Sequence, residues 1–281
     1  MWRPRMFRAA VPDDARELAD LLRSCPEITV FDTLDEQVRE LVETRTPGRS
    51  LDPRTLREQM TAMRRGATRQ EYGVWVYYPW SKRLVHILDR EEFIELRTNR
   101  NRYKITQAEQ DLLCSKAVGI VGLSVGQSVA LTMAMERSIG EIRLADFDTL
   151  GLSNLNRLRA GVHNIGVPKV YITAREISEI DPYITIKCYP DGVAYDTIDD
   201  FLLSGGPLDL LIDECDSLDI KIWLRHHARH HRIPVLMETS DRGLVDVERF
   251  DLEPDRPLFH GLVGDLDPEE LGGLSTNDKI P

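Results

Sequence analysis

Apolar positions recur along the chain in two textures that change near residue 105. The first, residues 1–104, holds three helix-like stretches and then a hairpin. Thr33 and Glu36 stand in the order of a capping box, and Leu34, Val38, Leu41 and Val42 follow at helical spacing until Pro47-Gly48 stops them. Asp52-Pro53 opens another helix with Leu56, Met60 and Met63 on one face, closed by Gly66. Residues 73–78 and 83–88 read as strands around a Pro79-Trp80-Ser81-Lys82 turn. Nothing in this extension carries chemistry of its own, and it reads as a scaffold or docking element.

From residue 117 the pattern alternates. Ala117 to Leu123 is an apolar run suited to a strand buried on both faces of a parallel sheet. A helix to about Ser138 and a strand over 142–146 follow. A second helix, with Pro168 at its start, runs to Ile180 before Asp181-Pro182. Strands over 184–188, 208–212 and 233–237 then alternate with helices near 195–203 and 218–231. This alternation predicts an α/β fold, a doubly wound Rossmann-like parallel sheet over 105–281, preceded by the helical and hairpin extension.

Composition narrows the partners. Lys and Arg number 36 against 47 Asp and Glu, a net charge of −11, which argues against a broad nucleic-acid face. No run of about 18 apolar residues is present, so no transmembrane helix is expected. The basic start, Met1 to Arg8, lacks the apolar core of a secretory signal. Cys25, Cys114, Cys188 and Cys215 are scattered without a C-x-x-C pair, which disfavours a cysteine-built zinc site and a disulfide framework. A cytoplasmic location is expected.

The candidate chemistry sits where the strands end. Ligands in such folds bind at the carboxyl ends of the strands, near the topological switch point. The first strand runs into Gly122-Leu123-Ser124-Val125-Gly126-Gln127-Ser128, where small residues let the backbone approach a phosphate and the next helix offers its N–H groups. The next strand ends in Asp146-Phe147-Asp148, and an acid there can accept from ribose hydroxyls. Taken alone these features indicate an adenine nucleotide, and a structural turn with a surface acid is the plainer alternative.

Further segments are more selective: Ser153-Asn154-Leu155-Asn156-Arg157, then Gly166-Val167-Pro168-Lys169, then Asp213-Glu214-Cys215-Asp216-Ser217. In this order they resemble the MoeB/ThiF family, bacterial relatives of ubiquitin-activating enzymes, over roughly residues 100–245. The resemblance implies that Asp146 holds the ribose, Asn154 and Arg157 the phosphates, Lys169 the transferring phosphoryl region, and Asp216 a Mg2+ ion. It also implies an arginine shortly before the first strand, contributed across a homodimer interface. Arg100 and Arg102 are the candidates, with a solvated basic stretch as the alternative. Gly122, Ser124, Gly126 and Asp148 complete the expected nucleotide site. The implied activity is ATP-dependent adenylation of the C-terminal carboxylate of a ubiquitin-like or sulfur-carrier protein, with molybdopterin biosynthesis as one setting. Fixed cations and Mg2+ suit that reaction because charge accumulates on the phosphate oxygens.

Departures from the family pattern matter too. Ser124 and Val125 stand where glycines are usual, Leu158 replaces a glutamine and Ser217 an asparagine, and no cysteine lies beyond Cys215. Adenylation without a catalytic cysteine is therefore expected. An NAD(P) oxidoreductase and a non-catalytic nucleotide- or peptide-binding module remain the alternatives. His226, His227, His230 and His231 form helical i,i+4 pairs capable of binding zinc or nickel. With no acid at clear ligand spacing, they read as a solvated helix end. The extension, the Gly122-Leu123-Ser124-Val125-Gly126 loop and the Ser153-Asn154-Leu155-Asn156-Arg157-Leu158 run resemble a MoeY-type subgroup, in which a flavin-binding domain often follows. The chain is accordingly expected to be a fragment of a longer protein.

Overall fold

A computed structural model describes residues 2–48, 50–239 and 243–264, and the chain divides into two compact units, Met1–Gln110 and a second beginning at Asp111. The first unit contains β1 (Arg5–Phe7), α1 (Pro12–Ser24), β2 (Thr29–Asp32), α2 (Leu34–Arg45), α3 (Pro53–Met63), β3 (Val74–Tyr78), β4 (Arg83–Ile87) and α4 (Arg90–Thr98). The expected hairpin is the antiparallel pair β3–β4, with Val76 opposite Val85. It is the centre of a four-stranded sheet ordered β1-β3-β4-β2, in which β2 runs parallel to β4. The two outer strands escape the hydrophobic pattern because they are only three and four residues long, and β2 leaves Val30 and Phe31 exposed.

Apolar clusters hold this unit together, two of them among the described residues as follows. Phe7, Leu18, Leu21, Trp75, Tyr77 and Leu84 form one, and Leu34, Val38, Leu41 and Leu88 the other. Asp52 caps α3 by accepting from the amides of Arg54 and Thr55. The capping box expected at Thr33 and Glu36 does not form. The Thr33 hydroxyl instead accepts from Gln37 Nε2 at 2.9 Å, and that amide also donates to His86 O and accepts from Leu88 N. A side-chain bridge from α2 to β4 has displaced the local cap.

α5 (Gln107–Leu113) leads across the division into β5 (Ala117–Val121), α6 (Gly126–Glu136), β6 (Glu141–Ala145), α7 (Lys169–Ile180) and β7 (Thr185–Tyr189). α8 (Ile198–Leu203), β8 (Leu210–Asp213), α9 (Leu218–His230), β9 (Val235–Glu238) and β10 (Val245–Glu248) follow in the second unit. The sheet is ordered β10-β9-β8-β5-β6-β7; β5 to β9 are parallel, and β10 returns antiparallel to β9. This is the doubly wound Rossmann-like arrangement. After β5 the chain adds β6 and β7 on one side, then crosses to add β8 and β9 on the other, so the switch point lies between β5 and β8.

Register brings three strand ends level. Val121 pairs with Ala145 on one side and with Asp213 on the other, so the segments beginning at Gly122, Asp146 and Glu214 leave the sheet together. One face of the sheet is covered by Ile198, Phe201, Leu202, Ile222, Leu224 and Ala228 of α8 and α9, all buried. Among the described residues no helix is long and apolar enough to cross a membrane.

Candidate nucleotide site at the strand ends

The glycines of the β5 loop are required first by packing. Gly122 has φ +88°, and a Cβ there would stand 2.4 Å from the backbone oxygen of Glu214. Removing the side chain lets the β5 and β8 loops touch at the switch point. At Gly126, the first residue of α6, a Cβ would meet Ile120 Cγ2 at 2.6 Å, so this glycine lets α6 lie close over β5. Ser124 and Val125, where the family pattern has glycine, lie between these two contacts.

Asp146 closes the loop from the other side. One carboxylate oxygen accepts from Leu123 N at 2.7 Å and the other from Asp148 N at 2.8 Å. Burial pushes its pKa above the ordinary aspartate value, while these two amides pull the other way. The side chain expected at a ribose thus also organises the backbone around that position.

Lys169 occupies the first position of α7, where a cation opposes the helix dipole. Its ammonium is compensated by Asp148 Oδ2 at 2.6 Å and by the Ser124 hydroxyl at 3.2 Å. The side chain of Lys169 is 5% exposed and that of Asp148 53%, so a buried cation is paired with a carboxylate that reaches solvent. The structure therefore brings together Gly122, Ser124, Gly126, Asp146, Asp148 and Lys169, contributed by the ends of β5 and β6 and the start of α7.

The remaining expected residues are placed differently. Asn154 lies in a short 3-10 helix, Leu152–Asn156, and its Oδ1 accepts from Gly151 N at 2.8 Å, so its carbonyl holds a turn. Arg157 follows, exposed, donating to Asn156 Oδ1 at 3.0 Å. Asp216 is exposed after β8, with no hydrogen-bond partner or ion pair among the described residues. Arg100 and Arg102 are exposed in and just after a 3-10 turn, Asn99–Asn101, of the first unit. Leu158, where the family pattern has glutamine, is buried against Leu150 and Ile172 and serves packing.

Several pairings that shape this region had no signal in the sequence. Gln127, 1% exposed, accepts from Arg159 N at 2.8 Å and donates to Arg159 O and to Glu176. It pins the segment carrying Arg157 to α6. Behind β8, Arg225 is wholly buried between Asp213 and Glu248, each at 2.5 Å, with its guanidinium 4.0 Å from the Phe259 ring centroid. Asp213 also accepts from Lys221 at 3.2 Å and from Cys215 Sγ at 3.0 Å. Burial and the Asp213 charge drive the Cys215 thiol far up, consistent with an inert buried sulfur. Of the two aspartates in Asp213-Glu214-Cys215-Asp216, only Asp216 can meet a ligand. Glu214 is half-buried beside Gly122, and its carboxyl is pushed up to about 7 by burial.

Residues 97–272 match the ThiF family. The chain belongs to the ThiF family. Protein MT1398 of Mycobacterium tuberculosis is 47% identical over 265 residues, covering 93% of this chain and 34% of that protein. The molybdopterin-synthase adenylyltransferase of Haemophilus influenzae is 28% identical over 182 residues, covering 62% of this chain and 71% of that protein. The crystal structure of PaaA shares the fold with a TM-score of 0.51 at 19% identity, covering 76% of this chain and 64% of that one. This ThiF-family chain thus spans about a third of the length of the M. tuberculosis relative.

Proposed function

We propose that the second unit is an ATP-dependent adenylyltransferase, activating a carboxylate as its acyl-adenylate. The observation that carries this reading is the cluster at the strand ends, a buried lysine held at the mouth of a nucleotide-type loop by Asp148 and Ser124. A Rossmann hydride-transfer site has no need of a buried cation there, whereas a triphosphate does. Membership of the ThiF family, and the adenylyltransferase named among its relatives, support the same chemistry.

In this reaction a carboxylate oxygen of the acceptor attacks the α-phosphorus of ATP. An O–P bond forms, the bond to the β-phosphate oxygen breaks, and pyrophosphate departs with the electron pair. Asp146, braced by two amides, is positioned to accept from the ribose hydroxyls with its remaining lone pairs. Lys169 supplies a fixed charge for the phosphates, and Arg157 a planar donor fork that is exposed in the unliganded chain. Asn154 shapes the turn that presents Arg157. Mg2+ fits the donors present: Asp216 is a hard, exposed oxygen ligand, while Asp213 is consumed by Arg225 and Lys221. When bound, the ion neutralises charge on the phosphate oxygens.

The acceptor in this proposal is the glycine-ended C-terminus of a ubiquitin-like or sulfur-carrier protein. The active form is a homodimer in which Arg100 or Arg102 reaches the phosphates of the partner. ATP–pyrophosphate exchange with a panel of such carriers tests the reading. Exchange with one carrier that disappears in Arg157→Ala and Lys169→Ala is the expected result. Nicotinamide oxidation or reduction in place of exchange would contradict it.

A further inference from the structure

The sequence shows histidine pairs at helical spacing near the end of α9 but no acid beside them. The fold supplies one. Asp199, the second residue of α8, lies against His227 of α9 and His231 just beyond it. His227 Nδ1 is 2.7 Å and His231 Nε2 3.2 Å from the same oxygen, Asp199 Oδ1. Nitrogen, nitrogen and oxygen all lie within 4.8 Å of one another. Donor atoms around one tetrahedral zinc, each about 2.0–2.1 Å from the ion, stand about 3.3 Å apart. The two nitrogen–oxygen spacings fall below that value and the nitrogen–nitrogen spacing is within 4.8 Å, so rotations of three side chains that reach solvent would complete the arrangement.

We propose that Asp199, His227 and His231 form a binding site for a divalent transition-metal ion, with Zn2+ the ion best suited to the donors. Two imidazoles and one carboxylate select the zinc–copper–nickel group over Mg2+ or Ca2+, which take oxygen ligands. In the metal-free state the carboxylate holds both rings with these nitrogens turned inward, where each can offer a lone pair to an ion once its proton sits on the other ring nitrogen. The side of the site at His227 is sheltered by the Trp223 ring, 5.5 Å between centroids. Asp199 is 58% exposed, which leaves room for water to fill the remaining coordination position. The bound ion would clip the first turn of α8 to the C-terminal end of α9.

The full chain, stripped of metal by chelation, is titrated with ZnCl2 by calorimetry and followed by thermal unfolding. One equivalent bound with a rise in Tm is expected, together with a visible Co2+ spectrum of the intense tetrahedral kind. Binding should disappear in His227→Ala and in His231→Ala, weaken in Asp199→Asn, and persist in His226→Ala and His230→Ala. His231 lies beyond the last turn of α9, so its variant tests the site even if His227→Ala unfolds. No saturable binding, binding unchanged in His231→Ala and Asp199→Asn, or equal loss in His226→Ala and His230→Ala would overturn the proposal.

Discussion

Two charged clusters of the second unit use the same chemistry in opposite settings. Behind β8, Arg225, Asp213 and Glu248 are sealed, each side chain at 0% exposure. At the strand ends, Lys169 is equally withdrawn, but its partner Asp148 is half in solvent. In the sealed cluster Arg225 and Lys221 answer the carboxylates of Asp213 and Glu248 with no opening for a ligand, so it holds β8, α9 and β10 in register. The half-open cluster keeps a cation desolvated on one side while leaving the other accessible to an anion. Burial of charge alone does not mark a site; a one-sided opening does.

Breaking the sealed cluster should have the largest effect. Arg225→Ala removes the cation set between two buried carboxylates, leaving Asp213 to Lys221 and Glu248 to the Phe259 amide, and about 3–5 kcal/mol of stability should be lost in denaturant unfolding. A much smaller loss would show that the cluster is not sealed in solution. The contact between the loops comes next. Gly122→Ala would force a side chain into a left-handed backbone position and against the Glu214 carbonyl. It should cost about 1–3 kcal/mol, read in the same unfolding experiment.

The last effect, reduced by the solvent that reaches both groups, is a pH slope. Glu214 and Glu176 hold their protons up to about 7 in the fold, mainly through burial, against an ordinary value of 4.5. Folding therefore takes up protons between these values. The stability that this contributes is complete below about pH 4.5 and is lost as pH rises through 7. The double variant Glu176→Gln/Glu214→Gln should flatten that slope; an unchanged slope would show that both carboxyls are ordinary in the native protein.

The fold of the second unit was legible because its strands are buried on both faces and its helices run long enough to show a period. The positions of the nucleotide-type loop and Asp146 were legible because each stands at the end of such an element, whereas Lys169 stood out through the family resemblance. What the residues could not show was pairing across the fold. Gln127 reaches Arg159, and Asp199 reaches two histidines, over separations with no periodic signature. The short edge strands β1 and β2 carry too few buried positions to register as a pattern. At Thr33 a local rule yielded to a contact from Gln37, since a side chain anchored on a neighbouring strand outcompetes an exposed cap.

A nucleotide seated at the half-open cluster must stabilise the fold. Thermal unfolding of the full chain with Mg-ATP and with NADH, beside Lys169→Ala and Asp216→Ala, tests this without knowledge of the acceptor. Mg-ATP at about 100 times its Kd should add about 2.7 kcal/mol to the native chain. That gain should be absent in Lys169→Ala, reduced in Asp216→Ala, and not reproduced by NADH. Stabilisation by NADH alone, or Mg-ATP stabilisation that survives Lys169→Ala unchanged, would contradict the assignment.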